Sequence, residues 1–237
     1  MCWGIEVTAG MVVVGAAGAV VTARRGDPVA IPLTLAYFAL MEALQFWGYL
    51  VIDQCGTPAN RAVTALSMLH IIVQPLVINA FAMALVSPSL PARTSGIVFG
   101  LSGVASLVML VQMLPLPQMG SCLPGTALCG TALCTVSGGW HLAWDVPYNG
   151  LLVPLEHSLG TAFGFPTYIL AVFVLPLFYG ALRFTLLHLV TGPLLAFQLT
   201  GNPNEAPAVW CLFSVAILIL GLSPAVRQRF GVMRAAA

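Results

Sequence analysis

Long apolar runs alternate with short polar turns along most of this chain. Runs of about 20 apolar residues, the length that crosses a hydrocarbon layer as a helix, occupy 8–23, 28–52, 62–87, 95–115, 161–182, 184–200 and 207–226. The fifth and sixth runs are nearly continuous, and as a single helix they would measure about 60 Å, twice the thickness of a bilayer. They must therefore fold back, and the pattern places the turn between Gly180 and Phe184.

Composition decides what surrounds these helices. Of 237 residues, 59% are hydrophobic and only 6% are charged, whereas a soluble domain carries about a quarter charged residues. There is too little charge to cover a surface that faces water, so the expected partner is the lipid bilayer. We predict an all-α fold: an integral membrane bundle of seven transmembrane helices in one domain, 1–237. A net charge of +1 without a basic stripe predicts no nucleic-acid partner.

The basic residues orient this bundle. Every one is arginine, and all but Arg61 occupy alternate turns, on one side of the predicted membrane: Arg24, Arg25, Arg93, Arg183, Arg227, Arg229 and Arg234. Because arginine accumulates in cytoplasmic loops, we predict an N-terminus outside and a cytoplasmic C-terminus, in a cell membrane such as a bacterial inner membrane. Arg61 lies near Asp53 at the outer side, and we expect it to pair with a carboxylate or a bound anion.

The longest connection, 116–160, falls on the outward side. It contains the repeat Gly125-Thr-Ala-Leu-Cys129 and Gly130-Thr-Ala-Leu-Cys134, followed by a segment with Trp140, His141, Trp144 and Asp145. A loop of this length is typical of a lid over the bundle or a docking surface for another membrane subunit. The tryptophans are equally consistent with interfacial anchors.

All six cysteines fall on the outward half in this topology, where an oxidising compartment favours disulfides. The disulfide candidates are Cys2, Cys55, Cys122, Cys129 and Cys134. A bridge from the long loop to Cys55 or Cys2 would pin the loop over the bundle, although the sequence leaves the pairing open. The alternative is a metal site, but the spacings are wider than those of the usual zinc pairs. Cys211 is expected to pack as a small buried side chain.

Two helices carry polar groups that are costly inside a membrane. Glu42, Gln45 and Tyr49 share one face of the second run, while His70 and Gln74 share a face of the third with Ser67. Glu42 and His70 lie at similar depth, about 13–15 Å below the outer surface. A buried ionisable group needs a partner or a proton, so we expect Glu42 to pair with His70. The pair either fixes the packing of the two helices or forms a polar pocket that opens outwards.

Further polar residues qualify this picture. Trp140, His141 and Asp145 approach the predicted pocket from the loop and complete its ligand-binding set with Glu42, Gln45, His70 and Gln74. Glu205 precedes the last run, where its carboxylate would suit the helix N-terminus. His188 stands alone near the inner end of the sixth run, which is more typical of a packed core residue than of a ligand.

Several motifs point to a family. Met1-Cys2-Trp3, the helix with Glu42 and Gln45, and the segment from Asn60 through Thr64 to His70-Ile-Ile-Val-Gln74-Pro75 resemble a family of uncharacterised polytopic membrane proteins that begin Met-Cys-Trp or Met-Cys-Phe. This resemblance covers most of the chain and implies a multi-helix membrane protein without implying an activity.

A second resemblance, to a class of seven-helix hydrolases, is only an analogy. Seven-helix hydrolases of the ceramidase and adiponectin-receptor type use a Ser-x-x-x-His element and a late His-x-x-x-His pair. Here Ser67-Met-Leu-His70 is one residue short, and the chain has no His-x-x-x-His. The analogy therefore lacks most of the metal ligands that the chemistry requires.

Two functional readings follow. The first is a non-catalytic accessory or small-ligand-binding protein with an outward-opening polar pocket between helices two and three. The second is a metal-dependent, hydrolase-like enzyme, in which His70, Glu42 and His141 hold the metal ion and the bound water is the nucleophile. The absence of lysine excludes a retinal Schiff base, and the chain contains no HExxH, GxSxG or P-loop motif.

Overall fold

The apolar runs form helices. The structure, a computed structural model, describes residues 4–86, 90–161, 163–211 and 213–230; Cys2 and Arg234 lie outside them. The first four helices are α1 (Ile5–Arg24), α2 (Ala30–Leu50), α3 (Pro58–Val86) and α4 (Ala92–Gln112). Within the described residues, these four and Leu182–Leu199 make five helices that are long and apolar enough to cross a membrane. The protein is therefore mostly helical, as predicted.

The C-terminal third is more broken than the sequence predicted. A short α5 (Val153–Leu159) precedes α6 (Pro166–Tyr179), which passes from α through π to 3-10 geometry. After it come α7 (Leu182–Leu199), α8 (Ala206–Trp210), α9 (Phe213–Leu222) and α10 (Pro224–Gln228). Pro176 lies in the 3-10 part of α6, and Pro193 lies in a π turn of α7. Each proline lacks the N–H that a regular α-helical turn needs, which accounts for the changes in geometry.

The chain reverses between α6 and α7, at the turn predicted from length alone. Gly180 takes the left-handed conformation there, with φ 86°. The rings of Phe173 and His188 then lie 4.7 Å apart, whereas a continuous helix would separate these two positions by about 22 Å. The two segments therefore pack against each other.

Helix α3 forms the centre of the bundle and packs against α2, α4 and α6. Asn79 on α3 holds these neighbours together: its amide nitrogen lies 3.1 Å from the Ser102 hydroxyl of α4 and 2.9 Å from the Ala171 carbonyl of α6. Tyr179 donates a hydrogen bond of 2.7 Å to the amide oxygen of Asn79. A buried amide with partners on two neighbouring helices fixes their depth and rotation.

The long loop folds into a cap, which we define as residues 116–160. Its core is an antiparallel hairpin of β1 (Cys134–Ser137) and β2 (Leu142–Asp145), in the register Cys134 to Asp145. Leu142, Trp144 and Val146 are buried and belong to the same apolar core as residues of α3. Since Trp144 is only 1% exposed, its interpretation as an interfacial anchor is wrong.

The cap is joined to the bundle through β1. The side-chain amide of Asn60 donates to the Thr135 carbonyl at 2.9 Å and accepts from the Thr135 N–H at 3.0 Å. Thr64, one turn along α3, lies 2.8 Å from the Thr135 hydroxyl. The Asp53 carboxylate accepts hydrogen bonds from the backbone N–H and the hydroxyl of Ser137. The donors to Asp53 thus come from the hairpin, and no ion pair between Arg61 and a carboxylate is present among the described residues; its expected pairing with a bound anion stays a prediction.

Two disulfides secure the cap. Cys55 is bonded to Cys134, which ties β1 to the connection between α2 and α3, and Cys122 is bonded to Cys129 within the cap. The prediction that a bridge to Cys55 or Cys2 pins the loop is confirmed for Cys55, and the metal alternative for the loop cysteines Cys122, Cys129 and Cys134 is wrong. Cys211 is a buried free thiol, as expected.

The opposite end of the bundle collects arginines, and we call Arg25, Arg183, Arg227 and Arg229 the arginine end. Arg25 and Arg227 both lie 2.6 Å from the Asp27 carboxylate, and Arg25 also donates to the Gly221 carbonyl at 2.9 Å. Arg183 donates to the carbonyl of Arg229. Partial desolvation raises the pKa of Asp27, but the two guanidinium groups more than offset it and hold that pKa below its ordinary value.

Candidate functional site

Glu42 and His70 do not pair, which corrects the central expectation of the sequence analysis. The Glu42 carboxyl accepts a hydrogen bond of 3.0 Å from Ser214 on α9, and its second oxygen is buried without a partner. The His70 ring stacks on Tyr37 with centroids 3.8 Å apart, and its Nε2 lies 2.8 Å from the Tyr37 carbonyl. The two side chains point to different neighbours: Glu42 on α2 contacts α9, whereas His70 on α3 packs against Tyr37 of α2.

His141 joins the other polar residues of α2. Its Nε2 lies 2.9 Å from the side-chain oxygen of Gln45, and its Nδ1 is hydrogen-bonded to the Tyr49 hydroxyl. Burial lowers the pKa of His141 to about 4, although the nearby Glu205 carboxylate raises it. His141 is therefore neutral at pH 7, and its two ring nitrogens tie the cap to α2.

Glu205 fixes the turn of the hairpin rather than the start of its own helix. Its carboxylate accepts from the backbone N–H groups of Gly139, Trp140 and His141, and from the Thr200 hydroxyl at 2.6 Å. Its side chain makes no capping bond to α8, so the expected capping role is wrong. Desolvation raises the pKa of Glu205, but these donors stabilise the charged form and bring that pKa below its ordinary value.

Trp140 and Asp145, the remaining cap candidates, are engaged in packing the cap. Trp140 packs against the small apolar cluster of Ala196, Ala206 and Val209. Asp145 accepts a hydrogen bond of 2.7 Å from the side chain of Asn204.

The predicted metal ligands His70, Glu42 and His141 are not brought together. Glu42 is hydrogen-bonded to Ser214, His70 to Tyr37, and His141 to Gln45 and Tyr49. Within the described ranges no three His, Cys, Asp or Glu side chains are placed to hold a metal ion. The hydrolase-like constellation expected from these three residues is therefore wrong. The physical reason is that residues at matching depth on neighbouring helices need not face each other.

A cavity lies at the centre of the bundle, lined by residues of α2, α3, α4, α6, α7, α8, α9 and the cap. It measures about 70 Å³ and is lined mainly by apolar and aromatic side chains. Phe38, Phe165, Phe213, Trp210 and Tyr168 form much of its wall. One water-sized group occupies about 10–15 Å³ by this measure, so the cavity holds roughly five or six heavy atoms. Its mainly apolar lining differs from that of the polar pocket predicted between helices two and three.

His188 is a buried polar residue in the wall of this cavity. It is fully buried, and its ring stacks on Phe213 with centroids 4.0 Å apart and an angle of 16°. The indole N–H of Trp210 donates to its Nε2 at 3.1 Å, while its Nδ1 is buried and has no partner among the described residues. The expectation of a packed histidine is confirmed for its burial, but the packing leaves one ring nitrogen unsatisfied.

Three further polar side chains, those of Tyr168, Gln74 and Cys211, line the cavity. Tyr168 donates a hydrogen bond of 2.5 Å to the side-chain oxygen of Gln74, so Gln74 is the one predicted ligand-binding residue that lines it. The thiol of Cys211 also lines the wall. No charged side chain is among the lining residues in the described part of the chain. An uncharged occupant fits this lining best, because a charge buried without a partner is strongly disfavoured.

The sequence did not predict that one site would contain His188, Tyr168, Trp210 and Phe213. One signal was present: a histidine in an apolar run is costly and marks a functional position by default. The others look like ordinary apolar residues of their helices, and they meet only because α6 and α7 fold back onto α8.

These features define a helical protein with membrane-length helices, a disulfide-bonded cap and a cavity lined mainly by apolar and aromatic side chains. The family model described as "Family of unknown function (DUF5765)" matches residues 6–231, and the chain belongs to this family. The expected membership of an uncharacterised family is confirmed. Comparison with curated proteins gave no match, and comparison with solved structures gave none either.

Proposed function

We propose that this protein is a multi-pass membrane protein of seven spans, with the cap outside and the arginine end in the cytoplasm. The two ends of the bundle differ as such a topology requires. The cap end carries the two disulfides of the described residues, and disulfides form in oxidising compartments. The arginine end joins the connection after α1 to the residues around α10 through Asp27, and arginine favours the cytoplasmic side.

Reporter fusions test this topology. A phosphatase that is active only outside the cytoplasm should be active when fused after Pro124 in the cap and inactive when fused after Pro91, before α4. The reverse pattern would contradict the proposed orientation. Equal activity at both sites would contradict a membrane span between them.

Within that membrane frame, the protein acts as a non-catalytic binding protein for a small, largely apolar and uncharged molecule. The observation that carries this proposal is the aromatic cavity with a buried, incompletely hydrogen-bonded His188 on its wall. Ligand sites combine apolar walls with a few polar groups that orient the ligand, and this cavity has that composition. The cap closes the cavity from one end, because Ala127 and Leu128 belong to its lining.

The internal repeat of the cap offers a matched pair of variants. Ala127 lines the cavity, whereas Ala132, the equivalent residue of the second repeat, is exposed. Ala127→Leu adds three carbon atoms to a space of about 70 Å³, while Ala132→Leu adds the same atoms at the surface.

The experiment is mass spectrometry of small molecules that co-purify with the full chain in native lipid discs. We expect one molecule to be enriched over bulk lipid with the wild type and Ala132→Leu, and to be lost with Ala127→Leu. Enrichment that is equal in all three proteins, or no enrichment in any of them, would refute ligand binding in this cavity.

A further inference from the structure

The hydrogen-bonding state of His188 restricts the chemistry of the ligand. The indole N–H of Trp210 is a donor and never an acceptor, and it lies 3.1 Å from Nε2 of His188. Nε2 must therefore present its lone pair, which places the proton of the neutral ring on Nδ1. The structure thus contains a buried N–H donor without an acceptor among the described residues.

An unpaired buried donor is costly, and a ligand that accepts from it removes this cost. Two acceptors on the cavity wall already have a donor: the Gln74 side-chain oxygen accepts from Tyr168, and Nε2 of His188 accepts from Trp210. A ligand hydroxyl would bring a hydrogen of its own that needs another acceptor. A carbonyl oxygen carries lone pairs alone and leaves nothing unpaired.

We propose that the ligand is an uncharged lipophilic molecule whose carbonyl oxygen accepts a hydrogen bond from Nδ1–H of His188, with a ring or branch of about five or six heavy atoms inside the aromatic walls. This inference rests on the proposed binding function and adds the ligand class. Phe163 lines the cavity and is 45% exposed, which provides a contact between the cavity and the apolar surroundings from which such a molecule enters.

Cyclohexanone and methylenecyclohexane test the inference, because they differ only in C=O against C=CH2. Both are titrated into the full chain in lipid discs, with histidines labelled with 15N and concentrations expressed per volume of lipid. The His188 signal is assigned from its absence in His188→Phe. We expect a proton on Nδ1 in the free protein, a downfield shift of that proton with the ketone, and about fivefold tighter binding of the ketone than of the alkene.

Two variants separate the contribution of the His188 donor from that of the Trp210 hydrogen bond that fixes its tautomer. His188→Phe keeps the ring in the wall, and it should abolish the preference for the ketone while both probes still bind. Trp210→Phe removes the donor that fixes the ring, so the proton should divide between Nδ1 and Nε2. Because Trp210→Phe leaves the histidine in place, its spectrum remains informative if His188→Phe fails to fold.

The outcomes distinguish this inference from the proposed function. If the free protein carries the proton on Nε2, or if the two probes bind equally tightly, the carbonyl inference is overturned while ligand binding stands. If neither probe binds and Nδ1–H exchanges rapidly with solvent, the partner is a water molecule and the inference is again overturned. Failure of the proposed function is seen separately, as the absence of any co-purified molecule that depends on Ala127.

Discussion

Glu205→Gln is the most informative test of how the cap is held. The wild-type carboxylate is 1% exposed and accepts from three consecutive backbone N–H groups and the Thr200 hydroxyl. In the glutamine variant one oxygen becomes an NH2 group that faces the Gly139 N–H, and the charge is lost. Hydrogen bonds to charged groups contribute about 1.5–3 kcal/mol each and do not add fully. We expect a loss of about 2–3 kcal/mol in the free energy of opening the hairpin turn.

The effect depends on pH, with a defined sign. The folded pKa of Glu205 lies below its ordinary value, so its contribution is fully present above the unfolded pKa, near 4.3. That contribution disappears as the pH falls through the folded pKa. The wild-type turn should therefore lose stability on acidification below about pH 4.5, while Glu205→Gln should show little change over the same range.

Hydrogen exchange at the amides of Trp140 and His141, converted to opening free energies, measures this effect. Glu156→Gln serves as the control, since Glu156 is also 1% exposed but accepts one backbone bond, from Gly164 at 2.8 Å. We expect the control to leave the hairpin amides unchanged. The reasoning is refuted if Glu205→Gln changes their opening by less than about 0.5 kcal/mol, or if both variants change it equally.

Three further predictions concern the cap, the arginine end and the central helix α3. Replacing Cys55 and Cys134 by serine removes a disulfide that joins positions 79 residues apart. We expect the free energy of unfolding to fall by about 3 kcal/mol, less than chain entropy alone gives, because the intervening helices stay ordered. Unchanged thermal unfolding would contradict this. Asp27→Asn should cost about 1 kcal/mol at neutral pH and nothing below the folded pKa of Asp27, where wild type and variant should unfold alike. Asn79→Leu should cost about 2–3 kcal/mol by leaving the Tyr179 hydroxyl unpaired, whereas Asn79→Leu with Tyr179→Phe should recover part of that loss in chemical denaturation.

Much of the architecture could be read from the sequence because helix length, turn position and disulfide environment depend on local composition. The first four helices and the reversal at Gly180 follow from apolar length. The expectation of a disulfide between the cap and the bundle follows from where the cysteines fall relative to the apolar runs, whereas the pairing of Cys55 with Cys134 is given only by the structure. The distortions of α6 and α7 were missed, although Pro176 and Pro193 were a visible reason for them.

For the candidate site, the sequence predicted which residues share a helix face but not which residues that face contacts. Periodicity correctly placed Glu42, Gln45 and Tyr49 on one face of α2, but it said nothing about which neighbour that face meets. Similar depth along their helices predicted that Glu42 pairs with His70. Equal depth does not make two side chains neighbours, and the partner of Glu42 is Ser214. The cap residue His141 did reach the polar face of α2, since the cap packs directly on that helix.

What the sequence determined by itself is a hydrophobic, arginine-segregated helical chain with a long cysteine-rich connection, because each of these properties is a sum over neighbouring residues. What only the tertiary structure decided is the meeting of His188 with Trp210, Phe213 and Tyr168 around one cavity. Those contacts depend on the rotation of each helix about its axis and on the reversal at Gly180. Helix rotation is set by packing against the other helices, so a single run of residues does not contain it.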